Sequence, residues 1–183
     1  MNRLARHSFV ALLLASASLA TASAAEPGFV DFGSFTPSAK GDYVEINLRE
    51  GLIKFAARVA SRQEPAAAEV LRGLKHVRVN VIELDERNRQ TTTDRVATLR
   101  AELTAQGWQP VVTVKGRKDE DVAIFMKTSG EDVIDGIVVT VIEDDRKAVL
   151  VNVVGQIKAE QLAELGERFN IEPLKGSKLA LGR

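Results

Sequence analysis

Three carboxylate clusters carry the clearest potential for chemistry in this 183-residue chain: Asp119-Glu120-Asp121, Glu131-Asp132 with Asp135, and Glu143-Asp144-Asp145. Paired carboxylates can share general-acid and general-base work, and several such oxygens together can hold a calcium ion. None of the three follows the spaced Asp-x-Asp-x-Asp-Gly order of a calcium loop. All fall where turns are expected, and Asp and Glu collect in turns for backbone reasons alone. They read as solvated turns; convergence of Glu131, Asp135 and Asp145 in one concave pocket would instead mark a carboxylate-based hydrolase or lyase. His76 lies between Lys75 and a nearby Arg78, with no adjacent carboxylate to orient it as a general base, and reads as a surface strand residue. Gly155-Gln156-Ile157 has one glycine where a phosphate turn needs several, and reads as a plain β-to-α connection. Trp108 and Pro110 sit between a helix end and a strand, where an indole closes the end of a core. Zero cysteine excludes disulfides, thiolate metal sites, a cysteine nucleophile and a lipobox. G-x-S-x-G, G-x-G-x-x-G, Walker and H-E-x-x-H patterns are all missing. The expectation is no catalytic residue, no metal and no cofactor.

These residues must be carried by elements, and the first segment is an address. Arg3 and Arg6 precede an apolar run from Phe9 to Ala20, followed by Ala22-Ser23-Ala24. That run is too short to span a bilayer, and the small residues suit a signal peptidase. Residues 1–24 therefore read as a cleaved bacterial signal peptide, which puts the product in a periplasm or outside the cell as a protein without lipid or membrane anchor. Cleavage leaves 159 residues at a net charge of −2. With 45% hydrophobic and 27% charged residues and balanced charge, the chain has the composition of an ordinary globular domain and lacks the basic excess of a nucleic-acid binder.

Tyr43 to Leu48 alternates Val44, Ile46 and Leu48 with polar residues, the period of a half-buried strand. Leu52, Phe55, Ala56 and Val59 recur at helical spacing, with Lys54, Arg58 and Arg62 forming a solvated face. Pro65 opens a second helical piece carrying Val70, Leu71 and Leu74. A strand from His76 to Leu84 and a charged connector over 85–93 follow. Then comes a helix that Asp94 or a preceding threonine caps, striped by Val96, Leu99 and Leu103 and stopped by Gly107. Four strands at hairpin spacing (111–115, 122–127, 137–142 and 149–154) and a closing helix with Leu162, Leu165 and Phe169 complete the order β-α-α-β-α-β-β-β-β-α. This is the pattern of an α+β two-layer sandwich, a mostly antiparallel sheet with its helices on one face. The expected division is a signal peptide over 1–24, a Phe-rich strap over 25–42, a single α+β domain over 43–174 and a tail over 175–183.

The meander is apolar on both sides. Val122, Ile124, Met126, Val139, Val151 and Val153 can meet the helices, which leaves Phe125, Val138, Ile142, Leu150 and Val154 in need of a cover. Phe29, Phe32 and Phe35 supply one if the strap folds back. The other cover is a protein partner or a second copy docking on Phe29, Phe32, Phe35, Phe125, Val138, Leu150 and Val154. The first two strands, by contrast, present Tyr43, Glu45, Asn47, His76, Arg78 and Asn80, which suit water.

The segment from Leu99 through Gly107-Trp108-Gln109-Pro110 to Val114, the GIVV at 136–139, the VNVVGQI at 151–157 and the EQLAEL at 160–165 together resemble domain-of-unknown-function family 4252, a group of bacterial exported proteins. The resemblance runs from about Tyr43 to Leu174. It departs at Lys158, where the family pattern favours Asp, and a lysine cannot accept the orphan N–H groups of a helix start. It implies the α+β domain and brings no activity, cofactor or catalytic residue; some relatives stand near sigma and anti-sigma regulators, which implies envelope sensing as one context. The overall expectation is a secreted or periplasmic, non-catalytic binding or assembly domain, with the carboxylate enzyme and the envelope sensor as alternatives.

Overall fold

The computed structural model describes residues 26–39, 41–116, 121–130, 133–143, 146–158 and 160–161. The proposed signal peptide, Asp119, Glu120, Glu131, Asp132, Asp144, Asp145, the closing-helix residues Leu162, Leu165 and Phe169, and the tail lie outside the described residues. The elements are β1 (Tyr43–Arg49), α1 (Glu50–Ala60), α2 (Pro65–Gly73), β2 (Leu74–Glu83), α3 (Arg89–Ala105), β3 (Gln109–Lys115), β4 (Asp121–Ser129), β5 (Val133–Glu143) and β6 (Lys147–Lys158). The six strands form one sheet in the order β1-β2-β6-β5-β4-β3, every neighbouring pair antiparallel. The expected α+β sandwich on a mostly antiparallel sheet is the observed architecture.

Strand periodicity sorts the side chains to two faces. On the first face, Ile82, Ala123, Phe125, Val138, Ile142, Ala148 and Leu150 pack with Val96, Leu99 and Leu103 of α3, Trp108, and Val30 and Phe32 of the N-terminal segment. On the second, Leu48, Val77, Ile137 and Val153 pack with Met126, Ile134 and Ile157 beneath Ile53 of α1 and Leu71 of α2. The helices therefore divide between the faces: α3 lies on the first, and α1 with α2 covers one end of the second. Both faces of the meander are apolar enough to bury something, and each has done so.

Two boundaries move for local reasons. The third helix begins five residues ahead of Asp94, because Asp85 accepts the N–H groups of Arg87 and Asn88 (2.8 and 3.3 Å), folding the connector into a turn that feeds straight into α3. Its end falls where glycine was expected: Gly107 adopts φ 79°, the Trp108 N–H reaches the Leu103 carbonyl (3.0 Å), and the Gly107 N–H reaches that of Thr104 (3.0 Å). That pair of bonds is a complete Schellman cap, and it swings Trp108 into the core at 4% exposure. The second boundary is at Gly155, which belongs to β6 at an irregularity opposite Leu74 and so joins no strand to a helix. β6 ends at Lys158, whose N–H donates to Gln161 Oε1 at 3.1 Å. This is the reciprocal half of a capping box: Gln161 satisfies the N–H of Lys158, while the lysine side chain contributes no acceptor of its own.

Candidate functional site

The N-terminal segment crosses the first face as a strap, and Asn152 in the middle of β6 holds it. Asn152 Oδ1 accepts the Val30 N–H (2.9 Å), while Nδ2 donates to the carbonyls of Gly28 (2.9 Å) and Ile137 (3.2 Å). Gly28 passes over Asp135 and Gly136 so closely that a Cβ on Gly28 or Gly136 would collide with the backbone of the other segment. Phe32 is fully buried, Phe35 packs on the same core, and Phe29 stacks on the His76 ring at 5.2 Å. Phe125, Val138 and Leu150 are buried beneath the strap and α3, and Val154 is buried as well. Of the seven residues considered as a docking surface, Phe32, Phe125, Val138, Leu150 and Val154 are buried while Phe29 and Phe35 stay partly exposed, so the strap covers this part of the first face.

Where β1 and β2 meet the strap, the side chains expected in water form a network. Asn80, wholly buried, donates from Nδ2 to the Tyr43 hydroxyl (2.8 Å), which donates to Glu45 (3.1 Å). Arg78 donates to Glu45 (3.1 Å) and to Asp31 of the strap (3.0 Å) while lying over the Phe32 ring at 5.6 Å. Asp31 is held below the usual carboxylate range by the Gly33 N–H and by Arg78. Burial and Glu45 push the Tyr43 phenol up, which keeps it protonated, and burial together with Arg49 and Arg78 lowers the His76 imidazole, which keeps it neutral. His76 Nε2 meets Asn47 Oδ1 at 2.6 Å, an amide where a catalytic dyad would place a carboxylate. Through Arg78 and Asp31 the network ties the strap to β1 and β2.

The described members of the carboxylate clusters do not converge. Both oxygens of Asp121 accept from the single Nη1 of Arg100 (2.8 Å each), whose Nε also donates to Thr140 (2.8 Å) and so ties α3 to the sheet. Asp135 accepts from Ser129 (2.9 Å), and Glu143 pairs with Lys147 (3.4 Å). Glu143 and Lys147 line an open groove of about 440 Å³ with Glu83, Leu84 and Arg146. Its charges are mixed, and the described residues include no group of three His, Cys, Asp or Glu that could hold a metal ion.

The profile of a family described as "Domain of unknown function (DUF4252)" matches residues 38–165, more than two-thirds of the chain. The chain belongs to the DUF4252 family. Neither the curated proteins nor the solved structures contain a match to it. The matched region of this DUF4252 domain spans all six strands and α1–α3, and it begins just beyond the part of the strap that carries Phe29, Phe32 and Phe35.

The feature of the DUF4252 domain that departs most from expectation is α1. The stripe expected to bury, Leu52, Phe55, Ala56 and Val59, faces outward: Leu52 and Phe55 are 56% exposed and Val59 is 64% exposed. The helix is seated instead by Ile53 and Ala57, both almost fully buried. Lys54 and Arg58 run along the other side of the helix, Arg58 reaches over the Phe55 ring at 5.9 Å, and Arg62 follows in the next turn. A single exposed apolar residue on a surface is ordinary, whereas three large ones at i, i+3 and i+7 form a ridge.

Proposed function

We propose that this chain is an exported, non-catalytic binding or assembly domain and that α1 is its contact surface. The observation that carries the reading is the ridge of Leu52, Phe55 and Val59, which are more exposed than any other large apolar side chain among the described residues, the next being Val44 and Val114 at 44%. Solvating that ridge is unfavourable by roughly 25 cal/mol for each Å² of apolar surface, and contact with a partner recovers it. The enzyme reading draws no comparable support, since Asp121 at the start of β4 and Asp135 and Glu143 near opposite ends of β5 are each engaged in a contact of their own.

The reading is tested by placing a photo-crosslinking phenylalanine analogue at Phe55 in the native host, with the same analogue at Gln90 on α3 as control. Adducts at position 55 and none at 90 are expected. Absence of any adduct at 55, whether to protein or to lipid, would sink the contact surface.

A further inference from the structure

We propose that the α1 ridge docks on an anionic phospholipid surface; this rests on reading α1 as the contact surface and names what it contacts. Geometry supplies the first reason. Ile53 and Ala57 fix the helix to the sheet, so Leu52, Phe55 and Val59 are presented as a line held on the outer side of a seated helix, and the groove at Glu83 and Glu143 contains no residue of α1. Specific protein interfaces are anchored by side chains seated in pockets, while a fluid headgroup layer accepts a convex apolar ridge and buries it to the acyl boundary.

Charge supplies the second reason and chooses the sign. Residues 49–75 carry six basic and three acidic side chains, a net of +3 in a chain whose total is zero. Glu50 is paired with Lys54 and Glu69 with Arg72, which leaves Arg58 and Arg62 without a carboxylate partner among the described residues. Arg58 lies along the Phe55 ring with its guanidinium free to rise to the level of phosphates as the ring goes under, the arrangement of an interfacial helix. A second copy is the poorer occupant. Pairing α1 with its own equivalent sets Arg58 and Arg62 against the same two cations, while Glu50 is already engaged with Lys54. The contact is peripheral: no helix among the described residues is long and apolar enough to cross a membrane.

Co-sedimentation of the chain from Ala25 onward, which contains every described element and lacks the apolar leader, tests the proposal. The probes are vesicles of equal parts phosphatidylglycerol and phosphatidylcholine, compared with phosphatidylcholine alone. Binding to the anionic vesicles only, weakened by added salt, is the expected result. Arg58→Gln and Arg62→Gln should each lower affinity about fivefold, and Phe55→Asp should abolish binding. All three positions are solvent-facing, so circular dichroism and melting temperature should stay at the parent values and show that lost binding is not lost folding. Equal binding to both vesicles, no binding, or indifference to Phe55→Asp would overturn the proposal. So would a dimer that Phe55→Asp dissolves, or vesicle binding that appears only after removal of residues 162–183, which would make a second copy or the chain's own end the occupant. The crosslinking result separates the two readings: a protein adduct at position 55 keeps the contact surface and rejects lipid, whereas no adduct rejects both.

Discussion

Asn152 shows how much one side chain can decide. It satisfies two backbone groups of the strap and one of β5 from the centre of the sheet, where no water competes. Asn152→Ala strands the Val30 N–H and the Gly28 carbonyl in an apolar layer, and an equilibrium denaturant titration should register a loss of about 2–3 kcal/mol. The sequence contained a signal for this role: a lone amide at 152 breaks the apolar line of Leu150 and Val154. It was not legible as an anchor because the bonded backbone lies more than a hundred residues away. Asn80 was hidden in the same manner, reading as a residue for water when its face is covered by a strap that no strand period reveals. His76 gives a pH prediction. Its folded pKa is depressed, so between that value and the unfolded one, near 6.5, the unfolded chain binds more protons and stability falls as pH falls through this window. Melting temperatures from pH 8 to 5 should decline for the parent and decline less for His76→Gln; identical slopes would remove His76 from the account.

At the scale of elements, α1 separates what a pattern can say from what packing decides. Its apolar arc includes both the Leu52-Phe55-Val59 line and the Ile53-Ala57 line, each at helical spacing, so the sequence reveals a helix and leaves its rotation open. The sheet end accepts the narrower line because Ala57 allows close approach. Ile53→Ala should therefore cost about 2–4 kcal/mol, whereas Phe55→Ala should stay within about 0.5 kcal/mol in the same unfolding measurement. The strap behaves as an element in its own right. Deleting residues 25–36 should lower stability and create dye-binding surface in a monomer, since Phe125, Val138 and Leu150 lose their cover. Leu150→Asp places an unpaired carboxylate in that layer; its penalty of several kcal/mol is comparable with the ~5–15 kcal/mol that holds a domain folded, and soluble yield should collapse.

Over the whole molecule, strand count, order along the chain and the antiparallel meander were legible, because alternation and turn residues are local signals. The position of β6 between β2 and β5 was not, since it depends on which two edges meet once both halves exist. The same non-locality concealed the candidate site. Exposure of α1 is a property of the assembled domain, and every residue of its ridge has the composition of a core. Export remains a proposal at this scale, with one direct check: intact-mass analysis of the protein from its own host should show a chain starting at Ala25 with no added lipid.

The glycine crossing of Gly28 over Gly136 has a consequence in time. The strap's bonds to Asn152 span 122 and 124 residues, so its docking place does not exist until β2, β5 and β6 have all been synthesised and paired. The earliest part of the domain to be made is the last to be placed, and in reverse it is the part free to leave first without disturbing the ladder beneath. Amide exchange should then be ordered, with the Val30 N–H exchanging by a local opening well before those of Val151 and Val153. A bulky residue at Gly28, whose Cβ would meet only the backbone of Asp135 and Gly136, would hold the molecule at that penultimate stage, its sheet complete and its strap undocked.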